Sequence, residues 1–340
     1  MTARLKHAAA LAGARRSGLL AVPRTMAERG LSLIETFGLA PVGTRLREML
    51  VTFRGTQGVP PSRFDATSLG IFQPRLALAT WFGRRRADRR VPIYNLFNRT
   101  PTPIRDGWSV RRTQMRDFRG GTLTYDSHNG TDFAVPPGTM VVAAAAGRVL
   151  RVSSEFNRGG LKVFVDHGRG LVTTSNHLGR ALVREGDRVG RGQPIALSGA
   201  SGLDMVLMFP WNAPHVHFNV WLNGEPVDPF GEADEPSLWR RRNDPVPDDG
   251  AADDSAGAPT VWDTDTVDAA ITACDVAAVR DELHAIATLE RRAMAVLFQM
   301  NYYPTRFGGR CSPYAAAFMR EPRLDLPFRA TDVAGIVFPD

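Results

Sequence analysis

The apolar positions of the chain change period twice. Up to about residue 100 they recur at helical spacing in short stretches, 26–37 and 42–53, followed by a turn cluster at 58–62. From 101 to 232 they shorten into β-branched runs at 139–142, 148–153, 162–165 and 170–174, with glycines such as Gly147, Gly159, Gly160, Gly168, Gly186 and Gly199 between them. Short runs punctuated in this way predict a compact antiparallel β domain. Residues 232–268 lose the pattern: 11 acidic side chains, Arg240, Arg241 and Arg242, and Ala/Gly/Pro filler predict a linker or solvated loop. Beyond it, Asp275 stands where a cap is needed, and Val279, Leu283, Ile286, Leu289, Ala293 and Leu297 return at helical spacing. They predict one helix ending near Tyr303 and Pro304. Met294 and Met300 lie on this pattern and read as core filling. The expected organisation is a basic, partly helical segment at 1–104, a β domain at 105–232, an acidic linker at 233–265 and a helical segment at 266–340, α+β overall.

Composition narrows the classes. A chain of 340 residues buries a core without needing disulfides, and 43% hydrophobic with 23% charged residues excludes a chain disordered throughout. No apolar run approaches the roughly 18 residues of a spanning helix, so no transmembrane helix is expected. The net charge of +7 is unevenly spread: the first 120 residues hold 22 Lys/Arg against 7 Asp/Glu, the rest 20 against 28. A basic leader of this kind attracts anionic cell-wall polymers or lipid headgroups. The surplus is almost all arginine, with lysine only at Lys6 and Lys162, which reads as compositional bias, and no nucleic acid is expected. The plain reading of Arg84, Arg85, Arg86, Arg89 and Arg90 is a solvated surface; the sharper one is an anchor to an anionic wall or membrane. Cys274 and Cys311 can pair or stay free, and two cysteines cannot build a zinc ribbon. Near the start, Arg15 and Arg16 interrupt the alanine-rich stretch at 8–14, and the apolar Leu19 to Val22 run ends at Pro23, so no clear export signal is legible.

Five of the seven histidines, His128, His167, His177, His215 and His217, fall inside the β-patterned segment. In His128, Asn129, Gly130, Thr131, Asp132 the Asn-Gly turn signal can bring an imidazole and a carboxylate together. In His215, Val216, His217 a strand projects both imidazoles to one face. Two histidines and one carboxylate form a three-ligand set of the kind zinc uses catalytically, with the fourth position open to water or substrate. Two histidines then remain for general-base and oxyanion duties.

In these residues the chain resembles the lysostaphin-like, or LytM-type, zinc metalloendopeptidases that hydrolyse peptidoglycan. The resemblance covers about 105–230. Its landmarks are 128–134, the strand end Asp166, His167, Gly168, the pair His177 and Leu178, the stretch 183–195, the turn 198–202, and Pro214 to Phe218. The resemblance implies a duplicated-hybrid-type antiparallel β catalytic domain holding one zinc ion per chain through His128, Asp132 and His217. It further implies His177 and His215 as the catalytic pair, their separate roles left open, and peptidoglycan peptides as substrate in the cell envelope or periplasm. His167 sits in a strand-end turn that the family also carries and reads as structural; His7 and His284 lie outside the domain.

Two departures touch supporting positions: Ser175, followed by Asn176, stands two residues before His177 where an aromatic is usual, and Asn219 comes after the His215 to Phe218 run where an acid is common. The alternative reading is a non-catalytic LytM-like structural or regulatory module of the envelope; such relatives typically lose metal ligands, and this chain keeps them. The stretch 183–195 also resembles lipoyl or biotinyl carriers, but no lysine stands nearby to be modified. The loop 203–212, with Phe209, Pro210 and Trp211, is expected either to border the cleft and shape its specificity or to pack on its own sheet.

Overall fold

The structure is a computed structural model and describes residues 29–100, 102, 104–250, 260–309 and 311–339. The stretch read for an export signal, residues 26–28 of the first helical pattern and the part of the acidic filler at 251–259 lie outside the described residues.

A sheet of eleven strands occupies the centre: β1 Arg90–Asn95, β2 Thr131–Ala134, β3 Met140–Val142, β4 Gly147–Glu155, β5 Gly160–Asp166, β6 Leu171–Ala181, β7 Arg188–Val189, β8 Pro194–Ser198, β9 His215–Leu222, β10 Glu225–Val227 and β11 Gly335–Val337. Its main path runs β11-β1-β2-β9-β6-β5-β4-β7, with β10 on β9 and β8 joining β6 to β3. Every pairing is antiparallel except β1 with β11. Four of the expected β-branched runs are strands, and helices stand at both ends of the chain, so the fold is α+β around a mainly β centre.

Helices α1 Leu33–Phe37, α2 Val42–Arg54 and α3 Pro74–Trp81 precede the sheet, and α4 Leu203–Leu207 lies within it. Ser32 and Glu35 close a reciprocal cap at the start of α1, and Gly38 at φ 64° ends it in the left-handed conformation that glycine adopts without strain. At the other end stand α5 Thr264–Thr272, α6 Ala277–His284 and α7 Leu289–Tyr302.

The single helix expected from Asp275 to about Tyr303 is two helices. Its apolar positions are real, but Leu283, Ala293 and Val296 pack with Val267, Ala270 and Ile271 into one cluster, so the chain folds back on itself at 285–288. The Arg292 guanidinium donates to the Ile286 carbonyl left open by the break. Asp275 caps nothing here: its N–H donates to the Arg306 carbonyl, and Val276 holds the cap position without a side-chain bond.

The core reaches into the stretch expected as a linker. Leu238 and Trp239 are buried, and Trp239 stacks on Phe218 with ring centroids 5.7 Å apart. The main cluster gathers Val91, Ile93 and Leu96 from before residue 105 and Leu324, Leu326, Phe328, Val333 and Ile336 from the carboxyl-terminal segment. Acidic and proline-rich composition around these residues hid a few strong apolar anchors. Cys274 is buried, Cys311 exposed, and both are free thiols. No helix among the described residues is long and apolar enough to cross a membrane.

Phe328 meets Phe133 edge-on at 5.6 Å in the middle of this core. Phe328→Ala is expected to lower the unfolding free energy by about 3–5 kcal/mol in urea denaturation, whereas Met319→Ala, at a position 82% exposed, stays within about 0.5 kcal/mol. Equal effects would mean that the carboxyl-terminal segment is not part of the β core.

Candidate metal centre

Strands β2 and β9 lie side by side with Asp132 opposite His217 and Ala134 opposite His215. Because alternate residues of a strand share a face, Asp132, His215 and His217 all point to the same side of the sheet. His128 enters from the turn before β2. Gly130 lets that turn lie close against β9: a Cβ there would stand 2.7 Å from His217 Nε2 and 2.8 Å from the Phe218 carbonyl oxygen.

His177 reaches the same place by a backbone irregularity. The β6 register shifts around it, and the residue sits at φ 57°, a left-handed conformation unusual for a side chain with a Cβ. Its N–H donates to the Gly159 carbonyl and its own carbonyl accepts from Gly199 N–H. These bonds hold the bulge that aims the imidazole.

The donor atoms converge. His217 Nδ1 lies 2.7 Å from Asp132 Oδ1 and His128 Nε2 lies 3.1 Å from that same oxygen, while the two ring nitrogens stand 3.1 Å apart. His128, Asp132 and His217 thus offer one ligand atom each at a single point and could hold a metal ion. Burial alone would raise the Asp132 carboxyl, yet the facing imidazoles of His128, His215 and His217 hold it well below the usual carboxylate range. Burial pushes His217 down to about 4 against the pull of Asp132, and His215 down in the same sense.

Backbone carbonyls fix which ring nitrogens are bare. The Leu96 carbonyl lies 2.6 Å from His128 Nδ1, the Ser201 carbonyl 2.7 Å from His177 Nδ1, and the Ala213 carbonyl 2.7 Å from His215 Nδ1. A carbonyl only accepts, so each Nδ1 carries a proton and Nε2 is the ring nitrogen left for other partners. The His177 and His215 rings are 4.7 Å apart, and His215 Nε2 is 3.6 Å from Asp132 Oδ1. All five residues singled out in the sequence therefore meet in one place.

His167 does not join them. Fully buried, it bridges the Ala146 carbonyl and the Thr173 hydroxyl, and burial pushes it down to about 4. His284 lies on α6, 3.8 Å from Asp268, and His7 is outside the described residues.

Several neighbours of the site were not singled out as such. Asn95, at the end of β1, donates to Asp132 Oδ2 at 2.8 Å. Its only sequence signal is its place at the end of an alternating apolar run lying before the expected β domain. Tyr94 lies beside His215 with rings 5.5 Å apart; burial, then Asp132, raises its pKa. Asp204 at the start of α4 is half exposed, 3.8 Å from His177 Nε2. Asn219, the departure noted above, places its amide nitrogen 2.9 Å from His217 Nε2 and 2.8 Å from the Asn129 carbonyl, while its oxygen accepts from Thr174 and Asn176. The loop 203–212 packs outward on the amino-terminal helices: Phe209 contacts Phe37 and Trp81, and Trp81 Nε1 donates to the Asn212 carbonyl.

Residues 126–229 match the family described as Peptidase family M23. Over 127 residues, 37% of this chain and 28% of the relative, the chain is 38% identical to the peptidoglycan DD-endopeptidase ShyA of Vibrio cholerae. Over 103 residues, 30% of this chain and 20% of the relative, it is 38% identical to an uncharacterized metalloprotease of Haemophilus influenzae. The chain thus spans less than a third of the length of these relatives. Among solved structures, a zinc containing peptidase from Vibrio cholerae aligns over 42% of this chain and 39% of its own at 31% identity with a TM-score of 0.30. The catalytic domain of lysostaphin from Staphylococcus simulans aligns over 31% and 77% at 29% identity with a TM-score of 0.27. Residues 126–229, which carry all five converging side chains, are a Peptidase M23 domain of the LytM type.

Proposed function

We propose that this chain is a zinc-dependent endopeptidase that hydrolyses peptide bonds in the stem peptides or cross-bridges of bacterial peptidoglycan, in the cell envelope or periplasm. The observation that carries the proposal is the convergence of His128 Nε2, Asp132 Oδ1 and His217 Nδ1 within 3.1 Å of one another, with His215 Nε2 3.6 Å from the same carboxylate oxygen and the His177 ring 4.7 Å from that of His215. Two imidazoles and a carboxylate suit zinc, which takes nitrogen and oxygen donors at about 2.0–2.2 Å and keeps a fourth position open in catalytic sites. One zinc ion per chain, when bound, supplies Lewis acidity toward a carbonyl and makes water acidic enough to act near neutral pH.

The chain's own residues supply the rest. With Nδ1 tied to a carbonyl, His177 or His215 accepts a proton from the attacking water at Nε2 and, as imidazolium, returns it to the departing amine; the positive ring also stabilises the oxyanion that develops between these events. Asn95 holds the second oxygen of Asp132, leaving Oδ1 for the ion. A non-catalytic envelope module is not favoured, since such a role requires neither the ligand set nor the second pair of histidines. The relatives' peptidoglycan activity supports the substrate class.

Incubating the zinc-loaded protein with purified sacculi should release peptide fragments with newly exposed amino termini in mass analysis; intact sacculi would contradict the proposal. His217→Ala should lose both stoichiometric zinc and hydrolysis, whereas His177→Ala should retain zinc by atomic absorption and lose about 10²–10⁴-fold in kcat. Loss of zinc from the His177 variant would make that residue a ligand and end the assignment. Asn95→Ala should leave the fold intact by circular dichroism and weaken zinc about 10–100-fold in competition with a chromogenic chelator; an unchanged affinity would remove Asn95 from the centre.

A further inference from the structure

Helix α2 faces the wrong way for a helix on a water-soluble surface. An amphipathic helix ordinarily buries its apolar stripe and turns its charges outward. In α2 the buried positions are Arg45 and Thr52, at 8% and 9% exposure, while Val42, Leu46, Leu50 and Phe53 are 64%, 53%, 44% and 50% exposed. These four follow one another at intervals of four, four and three residues and so form one stripe. Phe64 extends it, its ring 6.3 Å from that of Phe53.

Polar contacts lock this orientation. The Arg45 guanidinium donates to the Ala40 and Ser154 carbonyls, the Ser154 hydroxyl and Glu48. Glu48 in turn accepts from the Phe156 N–H. Rolling the helix to hide its leucines would strand a buried arginine, which costs far more than exposing them. The stripe is therefore a fixed, outward-facing apolar surface of the kind that marks an interaction site.

The charge around it identifies the partner. Arg47 and Arg54, both exposed, adjoin Leu46 and Phe53 in the helix, and the one acid of α2, Glu48, is taken up by Arg45 and the Phe156 N–H. We infer that the apolar stripe of α2 docks on an anionic lipid surface, its leucines and phenylalanines entering the headgroup boundary and its flanking arginines pairing with lipid phosphates. Interfacial helices combine aliphatic and aromatic side chains on one face with flanking cations in this way, and each cation gains from a negative leaflet. A second copy meeting face to face would bring like charges together. Phe37 of α1 touches Phe209 on the loop beside the metal centre, so docking through these helices would hold the M23 domain next to the bilayer.

The test needs neither metal nor hydrolysis, so it stands or falls apart from the proposed activity. The full chain is floated with vesicles of phosphatidylethanolamine and phosphatidylglycerol at three to one, and separately with pure phosphatidylcholine. The protein should float with the anionic vesicles, and the double variant Leu46→Glu, Leu50→Glu should lose at least tenfold in bound fraction with an unchanged melting temperature. Arg47→Glu with Arg54→Glu should lower binding and its salt dependence, and Met319→Glu should behave as wild type. Failure of the wild type to float, or full binding by the Leu46, Leu50 variant, would overturn the inference. So would a dimer by light scattering that the same variant splits while vesicles bind neither form, which would give the stripe to a second copy.

Discussion

A carboxylate as deeply buried as Asp132 has to be compensated by positive charge or by several hydrogen-bond donors. That requirement organises the centre of the molecule. Asp132 finds His217 directly across the β2–β9 ladder, His128 from the turn below and Asn95 from β1. The geometry is inherited from the sheet, because opposite residues of an antiparallel pair keep their side chains on one face at fixed spacing. Backbone carbonyls in turn hold Nδ1 of His128, His177 and His215, whereas His217 is held by Asp132 and by Asn219. A site assembled on strands and pinned by main-chain groups is preorganised, as the proposed acid–base chemistry needs.

The flanking segments complete the β domain. Trp239, Leu324, Leu326 and Phe328 close one side of the main core, and α7 lays Leu297, Phe298 and Tyr302 over Phe164, Val172 and Trp221. The Tyr302 hydroxyl donates to Asn176 Oδ1, within the same amide cluster that holds Asn219 against His217. On the other side α1 and α3 clamp the segment between β8 and β9, through the Ala200 N–H to the Thr36 carbonyl and through Trp81 to Asn212. The residues around the candidate metal centre thus depend on contacts drawn from both flanking segments.

Much of this centre was legible in the sequence because its chemistry is local. The alternation in Pro214 to Phe218 and the turn from His128 to Asp132 place imidazoles and a carboxylate by spacing alone, and the strands between them announce themselves by β-branched runs. His177 was legible only through the family resemblance, since its aim depends on a bulge that no periodicity reveals. Asn95 and Tyr94 escaped because their neighbours Asp132 and His215 lie on other strands, and sequence pattern does not state which strands pair. Leu238 and Trp239 were hidden by acidic neighbours, and the break at 285–288 by apolar spacing that continues through a fold-back. The inverted face of α2 was invisible for a related reason: its periodicity is that of any amphipathic helix, and only the contacts of Arg45 show which side is inward.

The central claim is that one divalent ion is held by two imidazole nitrogens and one carboxylate oxygen. X-ray absorption at the zinc edge of the metal-loaded protein tests it directly. The account predicts stoichiometric zinc with only nitrogen and oxygen neighbours at about 2.0–2.2 Å and the multiple-scattering signature of two imidazoles. A sulfur shell near about 2.3 Å, or a spectrum identical to that of zinc in buffer, would contradict it.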